Sequence, residues 1–220
     1  MATRRVLNEL IARYQETSGR AVSMLAVGGI DAGKRVRAGE VFDVVALAAD
    51  VIAKLETEGF IRAGSGVGFV RSPMAFAVRE GAAKPDISDE AAVKAALLGA
   101  RSIGYSTGPS GSHLLHVLKS WGLDPATEPA RFVQAKAGVP VAALVAKGEA
   151  EIGVQQLSEF LSEAGIEIVG LPPAPIQSVT TFSLGVGARA ANVQGAEALI
   201  AYLNAPETVE TKRKHGMEPA

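Results

Sequence analysis

The residues best suited to chemistry lie in one stretch, Gly104-Tyr105-Ser106-Thr107-Gly108-Pro109-Ser110-Gly111-Ser112, which leaves a short apolar run and leads into a helical pattern from His113 to Trp121. Hydroxyls and glycines at a strand-to-helix junction suit an anion. The helix start offers unsatisfied N–H groups and the positive end of its dipole, and glycine lets the backbone approach a ligand. A plain N-cap would need one hydroxyl, and Ser106, Thr107, Ser110 and Ser112 supply four. The spacing lacks the Gly-Lys-Ser/Thr of a phosphate loop and the glycine pattern of a dinucleotide fingerprint, which argues against nucleotides.

A second junction of the same kind is Gly28-Gly29-Ile30-Asp31-Ala32-Gly33-Lys34. Gly28 and Gly29 are candidate ligand contacts, Lys34 a cation that could clamp a carboxylate, and Asp31 a candidate base. The alternative is a glycine turn followed by a solvated helix. His113 could serve in proton transfer if its ring turns toward the ligand, and Arg4 could neutralise a carboxylate. A third cluster is Ile152-Gly153-Val154-Gln155-Gln156, an apolar strand delivering two amides where ligands are met in α/β proteins, with Pro140 opening the helix before it.

Positioning these residues requires an alternation of strands and helices, and the sequence has it. Val6–Thr17 reads as an amphipathic helix stopped by Gly19, Ala21–Val27 as a strand, and Phe42–Ala48 as a central parallel strand covered on both faces. Ser88 reads as the cap of the next helix, Ile103–Ser106 as a strand before the cradle, and Met74–Val78, Ile166–Val169 and Thr180–Val186 as further strands. The alternation predicts an α/β fold with mostly parallel sheets. Irregular crossings near Pro73 and Ile176 predict two lobes with a cleft between them, residues 1–75 with 180–220 and residues 76–179.

Composition narrows the function. The chain has 220 residues, a net charge of −1 and 5% aromatic residues, which leaves neither a basic footprint nor stacking platforms for nucleic acid. It has no cysteine and three scattered histidines, so no metal site and no thiol nucleophile is expected, nor any cofactor. No apolar run reaches the length of a membrane span, and the first residues lack the apolar core of a signal peptide.

Asp43–Ala48, Gly104–Ser112 and Ala143–Gln156, with its phrase Lys147-Gly148-Glu149-Ala150-Glu151-Ile152-Gly153, resemble the extracytoplasmic solute-binding proteins of the molybdate-binding type. The resemblance covers nearly the whole chain. It implies a two-lobed periplasmic-binding fold, a small anion held by hydroxyls, backbone N–H groups and helix starts, a periplasmic location and an ABC transporter permease as partner. Three features differ from that pattern. The chain opens on a helix where the family has a strand and a serine-bearing loop, Gly28-Gly29-Ile30-Asp31 replaces a hydroxyl-rich loop, and Gln155-Gln156 stands where such binders present a tyrosine. The opening Met1–Leu7, the Gly28–Val36 turn and the Ser106–Gly111 turn resemble the branch of this family that includes bacterial aconitate isomerase. The expected ligand is therefore an organic polycarboxylate; isomerisation of cis- and trans-aconitate and binding of molybdate or another oxyanion are the alternatives.

Overall fold

A computed structural model describes residues 1–136, 138–161 and 163–220. In chain order its elements are α1 (Arg4–Ser18), α2 (Gly29–Arg37), β1 (Val44–Ala48), α3 (Ala49–Thr57), β2 (Val67–Arg79), α4 (Glu90–Gly99), β3 (Ile103–Tyr105), α5 (Pro109–Ser120), β4 (Phe132–Gln134), α6 (Val141–Ala146), β5 (Ile152–Gln156), α7 (Leu157–Phe160), β6 (Ile166–Gly170), β7 (Val179–Val186), α8 (Val193–Leu203), α9 (Val209–Lys214) and β8 (Glu218–Pro219). The chain divides into two units: Met1–Ser72 with Thr181–Ala220, and Pro73–Thr180. Strands β2 and β7 carry the chain across the boundary.

In the first unit the strand order is β1–β7–β2, and β8 pairs with Val70 and Arg71 of β2. Alternation along β1 sends Val44 and Ala46 to one face and Val45 and Leu47 to the other. On the first face they meet Leu10 and Tyr14 of α1 and Leu199 and Leu203 of α8; on the second, Val36 of α2 and Ile52 and Leu55 of α3. Helix α1 ends where Gly19 takes a φ of 67° and returns its N–H to Gln15, a left-handed cap that favours glycine.

The second unit orders its strands β2–β5–β3–β4, with β6 also on β2. Met74, Phe76 and Val78 of β2 face Leu97 of α4 and Leu114 and Leu118 of α5. Ala75 and Ala77 face Val141 and Val145 of α6 and Phe160 of α7. The small residues on this side let α6 come close: a Cβ at Gly153 would stand 2.5 Å from Val145 Cγ2, and one at Gly104 would stand 2.8 Å from the Ala150 Cβ. Phe76 and Phe160 here, and Phe69 in the first unit, are fully buried and stabilise by roughly 2–3 kcal/mol each. Arg131 donates to the Leu97, Leu98 and Ala100 carbonyls, satisfying the open end of α4.

The α/β class holds, and several elements differ from the sequence expectation. The sheets are mixed: β1 with β7 and β2 with β5, β6 and β8 pair antiparallel, and parallel pairing joins β3 to β4 and β5. Phe42–Ala48 therefore gives an end strand with an antiparallel neighbour, because its partner is the return strand β7 and not a crossover strand. Ala21–Val27 has the alternation of a strand, with Val22 and Met24 packed on the core, but forms no ladder among the described residues. Val22 gives its N–H to the Gln15 side chain. Pro73 lies inside β2, at the changeover between the ladders to β8 and to β5, where no paired donor is required of it. Asp89, one residue beyond Ser88, caps α4 by accepting from Ala92 N, while Asp86 takes the Ser88 N–H.

Candidate functional site

The residues of the second unit that could hold an anion gather at the C-terminal ends of parallel strands β3 and β5. Tyr105 pairs with Val154, so the turn Ser106–Gly108 stands level with Gln155 and Gln156. Helix α5 begins there. Its cap Gly108 lends no side-chain acceptor, Pro109 brings no N–H, and the first turn holds no acidic residue. The Ser112 N–H already belongs to the helix through Gly108 O. The N–H groups of Ser110 and Gly111 are left without intrahelical acceptors at the positive end of a 12-residue helix. Ser110 is buried beneath them, Ser106 is half-buried and Thr107 and Ser112 are exposed. The Ser106 hydroxyl accepts from Gly108 N at 3.2 Å and so shapes the turn.

Glycine 111 has a tighter constraint than ligand approach. A Cβ there would lie 1.8 Å from the Ser106 carbonyl oxygen, so the helix start and the turn touch backbone to backbone. Tyr105 is buried below the turn, and burial pushes its phenol up, keeping it neutral.

The two glutamines part company because β5 alternates. Gln155 faces α6 and accepts from Val141 N through Oε1 at 2.9 Å; its amide also hydrogen-bonds the Glu159 carboxyl, which burial pushes up. Both ends of Gln155 are thus engaged, Oε1 at the start of α6 and the amide NH₂ at Glu159 of α7. Pro140, at the cap of α6, has no N–H to offer. Gln156 lies on the opposite face with Val154, is 2% exposed, and donates Nε2 to Thr180 Oγ1 at 2.8 Å. Among the described residues its Oε1 has no partner.

His113 places Nε2 2.9 Å from the Ile176 carbonyl. A carbonyl only accepts, so this nitrogen carries the proton and the ring ties α5 to the segment before β7. The remaining nitrogen, Nδ1, is the one left for any other proton.

In the first unit Gly28 caps α2, without a side-chain acceptor, and Gly29 opens it. Asp31 in that first turn folds back, its Oδ2 lying 3.7 Å from where a Gly28 Cβ would stand. Lys34 is exposed, past the middle of the same nine-residue helix, where a cation complements the negative end of the dipole. Arg4 is exposed on the first turn of α1. Sequence reasoning missed Thr180, Glu159 and a buried lysine, Lys212. Thr180 opens an apolar strand and reads as a β-former, and Glu159 and Lys212 sit in patterns that look solvated. Among the described residues no group of three His, Asp or Glu side chains is placed to hold a metal, and no helix is long and apolar enough to cross a membrane.

The mixed α/β fold sets helix starts at the ends of strands, and the family model for bacterial extracellular solute-binding proteins matches residues 1–218. The chain belongs to that family. Aconitate isomerase of Pseudomonas sp. is 33% identical over 220 residues, which is 97% of this chain and 83% of that protein. In fold, the chain matches the periplasmic molybdate-binding protein of Azotobacter vinelandii with a TM-score of 0.81 at 22% identity, over 99% of this chain and 96% of that one. It matches the periplasmic binding protein AgtB from A. tumefaciens R10, solved with agropinic acid, with a TM-score of 0.71 at 16% identity, over 100% and 80%.

Proposed function

We propose that this chain is an extracytoplasmic solute-binding protein for a small organic polycarboxylate, which it passes to the permease of an ABC transporter. The observation that carries this reading is the first turn of α5: two N–H groups without intrahelical acceptors over a buried serine, with no acidic side chain in the turn. A carboxylate there gains charge-assisted hydrogen bonds and the helix dipole, each bond worth very roughly 1.5–3 kcal/mol before desolvation and ordering are subtracted. The preference for a carboxylate over a compact oxyanion is supported by the likeness to a protein named for aconitate, a tricarboxylate. Membership of an extracellular family supports the periplasmic location.

Isomerisation of aconitate is a second reading, favoured by that 33% identity and by Asp31 beside Gly28. A base at Asp31 would take a proton from one carbon of the ligand and return it at another, with Lys34 offsetting the negative charge that develops between the two steps. Because His113 already donates Nε2–H to Ile176, its contribution would run through Nδ1.

Calorimetric titration with molybdate, sulfate, citrate, cis-aconitate and trans-aconitate tests both readings. Saturation by the organic acids and no heat with molybdate is the expected result; the reverse pattern would exclude the carboxylate reading. A ligand at 100 times its Kd should also raise stability by about 2.7 kcal/mol in a melting experiment. An absorbance assay of aconitate interconversion then separates binding from turnover.

A further inference from the structure

Gln156 stands out as a buried side chain that is only half satisfied. Its Nε2 is held by the Thr180 hydroxyl, and its Oε1 is shut from solvent with no partner among the described residues. Buried carbonyl acceptors nearly always have a donor. Alternation along β5 puts Gln156 on the face that carries Leu114 and Leu118 of α5, and pairing of Tyr105 with Val154 puts it level with the turn that starts α5. The unpaired acceptor therefore lies at the same end of the same unit as the two N–H groups of Ser110 and Gly111. A ligand that satisfies both must bring an anionic group for the helix start and a donor for the amide oxygen.

We infer that this site selects a carboxylate bearing a hydroxyl group, with Gln156 reading the hydroxyl and Thr180 as the positioning residue that keeps the amide oxygen turned toward it. The inference rests on the polycarboxylate reading above and narrows it. Thr180 acts through its own oxygen: by accepting from Nε2 it leaves Oε1 as the end without a partner among the described residues. A valine there could hold neither end of the amide, whereas a serine could hold the same one.

Citrate and tricarballylate separate the possibilities, because they share three carboxylates on the same carbon chain and differ by one hydroxyl. Titration of the full chain should give citrate an affinity at least tenfold higher, since an analogue that lacks the hydroxyl leaves the buried oxygen unpaired. Gln156→Leu and Thr180→Val should each bring the ratio close to one, and Thr180→Ser should keep it. Reading the ratio within each variant removes any shared loss of folded protein. Equal binding of the two acids by the unsubstituted chain would overturn the inference while leaving the carboxylate reading intact. Tighter binding of tricarballylate would overturn it too, by showing that the hydroxyl costs desolvation and finds no partner in the site. Failure of both acids to bind while cis- or trans-aconitate saturates would overturn this inference and leave the carboxylate reading; failure of all four would remove both.

Discussion

Two helix starts in this chain look alike on paper and differ in chemistry. Both α2 and α5 follow glycine-containing turns, and neither is capped by a side chain of its cap residue. At α5 no acid occupies the first turn, and Ser110 is buried at the mouth. At α2 the first turn carries Asp31, whose carboxylate turns back toward Gly28. An acid in that position already meets the dipole of its own helix and opposes a second anion. The residue two places beyond the glycines, more than the glycines themselves, decides which start can take an external carboxylate.

The largest test of this contrast uses the glycines. Gly111→Ala would place a Cβ 1.8 Å from Ser106 O, and backbone cannot yield as a side-chain end can. A loss of about 3 kcal/mol in urea unfolding is expected, with the anion site lost too. Gly29→Ala meets nothing nearer than a Leu47 methyl at 3.8 Å. There the effect should lie within about 1 kcal/mol and favour the helix. Similar losses from both substitutions would break the comparison.

The units also differ in the charge each one hides. In the second, Glu159 shares its burial with the amide of Gln155. In the first, Lys212 is 2% exposed, donates to the Phe69 carbonyl and to Asn204, lies 4.6 Å from the Phe69 ring centre, and has its pKa lowered by burial to about 8. Below pH 8 the lysine is protonated folded and unfolded, and the burial cost is fully present. Between 8 and the ordinary value of 10.5 the unfolded chain binds more protons, so stability should climb with pH by up to about 3 kcal/mol. Lys212→Met should flatten that rise in melts taken across this range. An unchanged slope would mean that the lysine is solvated.

The smallest expected effects return to the helix starts. Ser110→Ala should weaken carboxylate binding by about 1–3 kcal/mol without a comparable loss of fold. Asp31→Asn, at the other helix start, should change it by about 1 kcal/mol or less. If Asp31→Asn proves the more damaging of the two for turnover of aconitate, the proton-transfer reading gains over simple binding.

Much of the fold was legible because local chemistry marks it. The apolar face of α1, its Gly19 stop, the strands around Val44–Ala48 and Ile152–Gln156, and the helix after Pro109 all follow from periodicity and turn residues. What escaped was set at a distance. Ala21–Val27 has the pattern of a strand, but a ladder is a property of two segments. The strand Phe132–Gln134 is too short to carry a period. Gly104 and Gly111 read as space for a ligand, whereas each makes room for the chain itself, against Ala150 and Ser106. Gln155 reads as a free amide at a strand end, and its partner is a backbone N–H 14 residues earlier. Lys212 sits in Glu-Thr-Lys-Arg-Lys, a solvated pattern by any local rule, and is buried by Phe69, 143 residues away.

The first unit is discontinuous: Met1–Ser72 needs Thr181–Ala220 to complete it. Leu10 and Tyr14 of α1 share their core with Leu199 and Leu203 of α8, and β1 has β7 as its ladder partner. During synthesis, Pro73–Thr180 is therefore complete before the first unit has its sheet, and α1 and β1, made before it, wait for partners made after it. Leu10 and Tyr14 of α1 and Val44 and Ala46 of β1 lack their α8 neighbours, and β1 its ladder partner, for at least as long as it takes to make the intervening 108 residues. That interval is when association with other chains or capture by a chaperone competes with folding.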